Sequence, residues 1–155
     1  MNRYSSKKYG LLSNVDNKET LEAFKLAEVD NIDIYSSKDK SALLNKLNAG
    51  DTLLLESLKV FSSVDDIFRF INISSTDINI NLRCLHEENI NFSYDDSIEN
   101  LLTILRLFSK LENQYIDLLI KNSSEIKNVK SLIKNLRTIS SQIIIIIIKN
   151  IKFNN

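Results

Sequence analysis

The chain has 155 residues, of which 43% are hydrophobic and 26% are charged; these values exclude a disordered protein and allow one domain with its own core. A single cysteine, Cys84, excludes an internal disulfide and favours a reducing compartment. The net charge is zero, but residues 1–120 carry 13 Lys or Arg against 19 Asp or Glu, whereas residues 121–155 carry seven against the single Glu125. Such a basic end is typical of a lysine-rich helix in solvent, and it is also suited to a nucleic-acid contact.

Short apolar runs alternate along the chain with segments of helical spacing. Leu21, Phe24 and Ala27 recur at the spacing of a helix face, whereas Ile32 and Ile34 alternate with polar residues as in a strand. The predicted elements, in chain order, are a strand at 8–12, a helix at 17–29, a strand at 31–35, a helix at 41–47, a strand at 52–55, a helix at 64–73 and a strand at 78–85. This alternation predicts βαβ units and a largely parallel sheet.

A longer helix is predicted to begin at Ser97, a residue suited to cap its N-terminus. Its apolar stripe runs from Leu101 to Leu119, about six turns, and the pattern allows continuation past Leu132. Because so small a sheet cannot cover a helix of this length, part of the apolar face is predicted to meet a second copy of the chain. The expected partner is therefore a homodimer mate bound through residues 98–139.

Six consecutive isoleucines, Ile143 to Ile148, stand near the end of the chain. The run is far shorter than the ~20 residues that a membrane span requires, and it is an aggregation hazard if exposed. We therefore expect a sticky low-complexity tail rather than an anchor. No apolar signal segment follows Met1, so the sequence predicts a cytoplasmic protein with no membrane partner.

Residues 49–55, which read AGDTLLL, resemble the third strand of the catalytic domain of the serine recombinases, the resolvase and invertase family. Four further segments are similar to that domain in the same order, namely residues 9–17, 39–47, 82–91 and 103–112. The resemblance implies an α/β fold with a mostly parallel four- to five-stranded sheet, flanking helices and a long C-terminal dimerisation helix. It places a resolvase-like domain at 1–120, followed at 121–155 by a basic helix extension and the isoleucine tail, without a helix-turn-helix domain.

The resemblance also implies a chemistry. The serine that attacks a DNA phosphodiester in that family, forming a 5′-phosphoserine link, falls on Ser13. The family's arginines neutralise the phosphate oxygens, a task that needs preorganised cations in the transition state. Leu11, Val60 and Ser63 stand at those arginine positions. We therefore expect catalysis to be impaired, and a loop serine that caps the following helix is the alternative role for Ser13.

The remaining candidate residues are fewer and weaker. Lys40 and Lys59 are the candidate phosphate-binding cations, although lysine lacks the bidentate fork of arginine. Supporting roles are assigned by the resemblance to Asn17, Arg83 and Glu87. Cys84 and His86 alone do not make a metal site, so no metal and no cofactor are expected.

Two functions remain open, with a third less favoured. The first is a recombinase-family protein that binds DNA weakly and without sequence specificity and cleaves it little or not at all. The second is a non-catalytic dimerising protein on the same fold that modulates an intact recombinase. The third is an unrelated α/β binding domain, because fold alone does not fix function. No small-molecule substrate is expected, since the sequence has no glycine-rich phosphate loop.

Overall fold

The structure is a computed structural model, and it describes residues 5–87, 90–93, 98–122 and 126–150. It is an α/β fold in which helices flank a five-stranded sheet, so the predicted class is confirmed at this level. The elements are β1 (Lys8–Leu12), α1 (Lys18–Leu26), β2 (Ile34–Ser36), α2 (Lys40–Leu44), β3 (Thr52–Leu55), α3 (Val64–Asn72), β4 (Asn81–Cys84), β5 (Asn91–Phe92), α4 (Glu99–Asn122) and α5 (Ile126–Asn150).

The sheet has the strand order β2-β1-β3-β4-β5. The first four strands are parallel, and the short β5 pairs antiparallel to β4. In the centre Gly10 lies opposite Leu54, and Leu54 lies opposite Arg83. The order reverses between β1 and β3, because the chain first adds β2 on one side of β1 and then crosses to add β3 on the other. This crossing point determines where a cleft can open.

Hydrophobic side chains fill both faces of the sheet. The larger cluster joins β1, β3 and β4 to α3, α4 and α5, and the smaller one joins the sheet to α1 through Phe24. Helix α1 lies close to β1, since a Cβ on Gly10 would come within 2.8 Å of the Phe24 ring. Glycine at that position therefore allows α1 to pack directly on the strand.

The strands differ from the sequence prediction mainly at their ends. Strand 52–55 is confirmed in full, whereas the strand predicted at 78–85 is shorter and covers only Asn81–Cys84. Helix α3 runs on into a wider helical turn at Ile73–Asp77, and Asn79 takes a left-handed backbone conformation with φ 65°. The alternating isoleucines at 78 and 80 belong to this turn and not to a strand. Periodicity alone could not distinguish a buried turn from the start of a strand.

The long C-terminal helix of the prediction is two helices. Helix α4 ends at Asn122 and α5 begins at Ile126, so the single helix expected over 98–139 is wrong as one element. The two helices pack on each other, with Glu112 of α4 beside Ser140 of α5. Helix α5 therefore runs back along α4 toward the sheet. The predicted cap Ser97 lies outside the described residues.

The isoleucine run is helical and partly buried, contrary to the expected tail. Ile144, Ile145 and Ile148 are at most 3% exposed and belong to the main core cluster. Their spacing of one and four residues places them on one helix face, whereas Ile143 and Ile146 on the other face are 45% and 60% exposed. The run could not be recognised as core from its sequence, because six identical residues carry no periodicity.

One helical stretch, Asn128–Asn150, is long and apolar enough by composition to cross a membrane, with a mean hydropathy of 1.4. A single helix of this kind does not establish a span. Lys130, Lys134 and Arg137 lie within it, and each is costly in a hydrocarbon core. In this fold its last turns instead pack against the protein's own core.

Candidate functional site

A cleft opens at the carboxyl edge of the sheet, at the crossing point between β1 and β3. In open α/β sheets this edge is where ligands bind, because the loops after neighbouring parallel strands diverge there. Ser13 directly follows β1, Glu56 and Ser57 follow β3, and His86 follows β4. The cleft has a volume of about 180 Å³. It is lined by Ser13, Glu56, Ser57, Lys59, His86 and Lys149.

Glu56 is the structural centre of this edge. Its side chain accepts four hydrogen bonds: Oε2 accepts from the backbone N–H and the hydroxyl of Ser13, both at 2.8 Å. Oε1 accepts from Asn17 Nδ2 at 3.1 Å and from Thr20 Oγ1 at 3.0 Å. Through these bonds the Glu56 carboxylate connects the end of β3 with the β1–α1 loop and with the first turn of α1. Its acceptor capacity is filled by these four donors.

These contacts also set the charge state of Glu56. Burial alone would raise the pKa of this carboxyl, but the hydrogen bonds from Ser13 and Thr20, with His86 nearby, outweigh burial and hold its pKa below the usual value. Glu56 therefore stays ionised, and a buried anion with four donors is stable where an unpaired one would not be.

The open side of the cleft carries two lysines and a histidine. Lys59, His86 and Lys149 line it, and all three residues are exposed. Lys59 lies on the short helical turn after β3, and Lys149 comes from the last turn of α5. Neither lysine forms an ion pair with another residue in the described part of the chain. The cleft thus combines a carboxylate on its floor with unneutralised ammonium groups at its mouth.

The positions where the resemblance expects arginines are occupied differently. Leu11 is fully buried and Val60 is 5% exposed, and both belong to the main core cluster. Ser63 caps α3, since its hydroxyl accepts from the backbone N–H of Asp66 at 3.1 Å. These three side chains serve packing and capping, so an arginine at either apolar position would require a rearranged core.

The two candidate phosphate-binding lysines are separated. Lys59 lines the cleft with Ser13. Lys40, at the start of α2, instead forms an ion pair with Asp66 of α3, and its Nζ lies 5.1 Å from the centre of the Phe61 ring. Asp66 thereby neutralises Lys40 away from the Ser13 cleft.

The supporting residues also fall in different places. Asn17 bonds Glu56 and caps α1 through its Oδ1, which accepts from Thr20 N. Glu87 is fully buried and accepts from Ser57 Oγ at 2.8 Å and from Leu58 N at 3.1 Å, which fixes the loop after β3. Arg83 is exposed on β4 and forms no ion pair with Glu87, although both residues are described.

Cys84 and His86 point to no metal centre in this part of the chain. The Cys84 thiol is buried, and burial together with the neighbouring Glu87 raises its pKa well above the usual value. Across residues 5–87, 90–93, 98–122 and 126–150, no group of three His, Cys, Asp or Glu side chains is placed to hold a metal ion.

Comparison with known proteins adds no family assignment. No protein-family model matches the chain, and no curated protein sequence matches it. The recombinase resemblance therefore remains a prediction from the five sequence segments.

Sequence reasoning gave no site role to four of the residues that line the cleft: Glu56, Ser57, His86 and Lys149. Glu56 could have been suspected, because a carboxylate directly after a buried central strand lies at the binding edge of a parallel sheet. His86 was considered only together with Cys84 as a metal ligand, and two ligands do not make a site. Lys149 had no sequence signal, because its place depends on α5 folding back onto the core.

The geometry suits anion binding better than nucleophilic attack. A general base works best when its pKa is near the working pH, and the pKa of Glu56 is held below its usual value. Glu56 is therefore a weak base for the Ser13 hydroxyl that it binds. The ammonium groups of Lys59 and Lys149, in contrast, are free to meet an anion.

We predict that removing the Glu56 carboxylate destabilises the protein. Glu56→Ala leaves four donors without their acceptor and should cost roughly 3 kcal/mol of unfolding free energy, measured by urea denaturation. The matched variant Thr20→Val keeps the side-chain shape, removes one donor and should cost about 1 kcal/mol. Equal losses in the two variants would show that the other three bonds to Glu56 contribute nothing.

Proposed function

We propose that this chain is a serine-recombinase-like protein of the cytoplasm that binds the phosphate backbone of DNA at the Ser13 cleft and cleaves it little or not at all. The observation that carries the proposal is the composition of the cleft. Ser13 lies at the ligand-binding edge of the sheet beside Lys59, His86 and Lys149, while its hydroxyl is held by Glu56.

The binding half of the proposal rests on charge. Phosphate contacts by lysine release counterions and give affinity that depends on salt but not on base sequence. Lys59 and Lys149 present two such contacts at one small cleft. Weak, non-specific binding is therefore expected.

The proposal that catalysis is impaired rests on the groups that surround the Ser13 hydroxyl. A transition state at phosphorus accumulates negative charge that preorganised cations must neutralise. Leu11 and Val60 provide core packing instead of charge, and the nearest group to Ser13 Oγ that the hydrogen bonds identify is the Glu56 carboxylate. Losing one preorganised donor commonly costs ~10²–10³ in rate, and here the expected arginine positions hold Leu11, Val60 and Ser63.

We predict salt-dependent DNA binding that requires Lys59. With a fluorescently labelled duplex of arbitrary sequence, the slope of log K against log[salt] should shrink by about 0.9 in Lys59→Gln, one phosphate contact. Lys25→Gln removes another exposed lysine, in the last turn of α1, and is the control. The binding proposal fails if both variants change the slope equally, or if wild type shows no salt-dependent binding.

The same duplex also tests cleavage. Wild-type protein and Ser13→Ala are incubated with it and resolved under denaturing conditions, and neither should give a covalent protein–DNA adduct. An adduct formed by wild type and absent from Ser13→Ala would contradict impaired catalysis, whatever the binding data show.

A second candidate function is a dimerising interaction protein on the same fold. Helix α4 exposes an apolar stripe of Leu107, Leu111, Tyr115 and Leu118, each more than half exposed. Their spacing of four, four and three residues places them on one face, opposite the buried Ile116. Neighbouring exposed apolar side chains of this kind mark interaction surfaces.

We predict that a second copy binds this stripe. Leu111→Asp should raise the dissociation constant of the dimer at least about tenfold, because it places a charge in an apolar contact. Sedimentation equilibrium measures the constant, and Asn113→Asp, on the other side of α4, adds the same charge off the stripe. A monomeric wild type, or equal effects of both variants, would remove this candidate.

A further inference from the structure

Helix α5 brings a cation to a site whose other members come from the sheet edge. Lys149 directly follows Ile148, which is fully buried in the core cluster. The place of Lys149 in the lining of the cleft is therefore set by the docking of the last turns of α5. If these turns were to leave the core, the cleft would lose Lys149 while keeping Lys59 and His86.

The docking of α5 includes an unfavourable contact. Midway along the helix pair, Glu112 of α4 is 5% exposed, and its Oε2 is buried without a hydrogen-bond partner. Burial raises the pKa of Glu112, with Ser140 and Arg137 lowering it and Asp65 raising it further. An unsatisfied buried carboxylate oxygen opposes the packing of α5 on α4. The apolar contacts of Ile144, Ile145 and Ile148 work against this cost.

Docking of α5 also brings two positive charges into one cleft. Residues 126–150 contain five Lys or Arg and no Asp or Glu. Docking brings Lys149 into the same cleft as Lys59, and Glu56 has its acceptor sites filled by Ser13, Asn17 and Thr20. The two lysines repel each other, and the ionised Glu56 in the same cleft offsets one of their two positive charges but has no acceptor site left to bond either of them. An anion bound between them would turn this repulsion into attraction to both.

We propose that Lys149 and Lys59 together bind a phosphate oxyanion, and that this bound anion stabilises the docked position of the end of α5 beside Ser13. The inference rests on the proposed phosphate-binding function and adds Lys149 as a binding residue and α5 as the element that responds. Binding and docking are then linked, because an anion that prefers the docked state increases the population of that state. Each process strengthens the other by the same factor.

The test measures binding and docking separately. Binding is followed by the ring NMR signals of His86, the chain's single histidine, as inorganic phosphate replaces chloride at constant pH and ionic strength. Docking is followed by hydrogen exchange of the amides at 140–150, with α1 amides as an internal reference. Wild type, Lys149→Gln and the remote Lys25→Gln are compared. A second arm replaces phosphate with a short oligothymidylate, which carries the same oxyanion in a DNA backbone.

The expected result is slower exchange in α5 of wild type and Lys25→Gln, by about tenfold at a ligand concentration ten times the Kd that His86 reports. Exchange in α1 of all three proteins, and exchange in α5 of Lys149→Gln, should not change.

The ligand that slows exchange in α5 identifies free phosphate or a nucleic-acid backbone as the source of the bound oxyanion. If His86 responds but α5 exchange is unchanged, or slows equally in Lys149→Gln, the inference is overturned and phosphate binding stands. If His86 responds in neither arm, phosphate binding itself fails.

Discussion

The rest of the site depends on the burial of one ionised carboxylate, Glu56. A carboxylate at 7% exposure is tolerated only with strong hydrogen bonds, and four donors from the β1–α1 loop and α1 supply them. This requirement fixes the loop that holds Ser13 against the end of β3. The strand order places the carboxyl ends of β1 and β3 side by side. The fold and the Glu56 carboxylate together therefore create the cleft.

The contact that positions Ser13 also limits what Ser13 can do. A hydroxyl that donates to a carboxylate of low pKa is held firmly but is poorly activated, because a weak base does not take its proton readily. Leu11 and Val60 contribute core packing where a phosphate-cleaving site would need charge. The lysines at the mouth of the cleft still favour an anion. This arrangement is the reason why we propose phosphate recognition rather than phosphate chemistry.

The sequence predicted the layers of this fold better than its site. Strand 52–55 and helix α3 were recognisable because their apolar patterns are local, and the parallel sheet followed from their alternation. The path of α5 was not predictable, because a run of identical isoleucines has no preferred face and only tertiary packing selects Ile144 and Ile148 for burial. Lys149 was missed for the same reason. The burial of Glu56 was not predictable, because its four donors lie 36 or more positions away in the sequence and only the fold brings them to it.

The most direct test of this account is the pKa of Glu56, measured by carbon-13 NMR of the carboxyl carbon in wild type and in Ser13→Ala. We expect a pKa below that of an ordinary glutamate, which is about 4.3, and we expect this pKa to rise when the Ser13 hydroxyl is removed. Because the folded-state pKa is lowered, the stabilisation by Glu56 is present above its unfolded-state pKa and is lost as pH falls through the folded-state value. A pKa at or above the ordinary value, unchanged in Ser13→Ala, would contradict the four-donor arrangement on which the cleft depends.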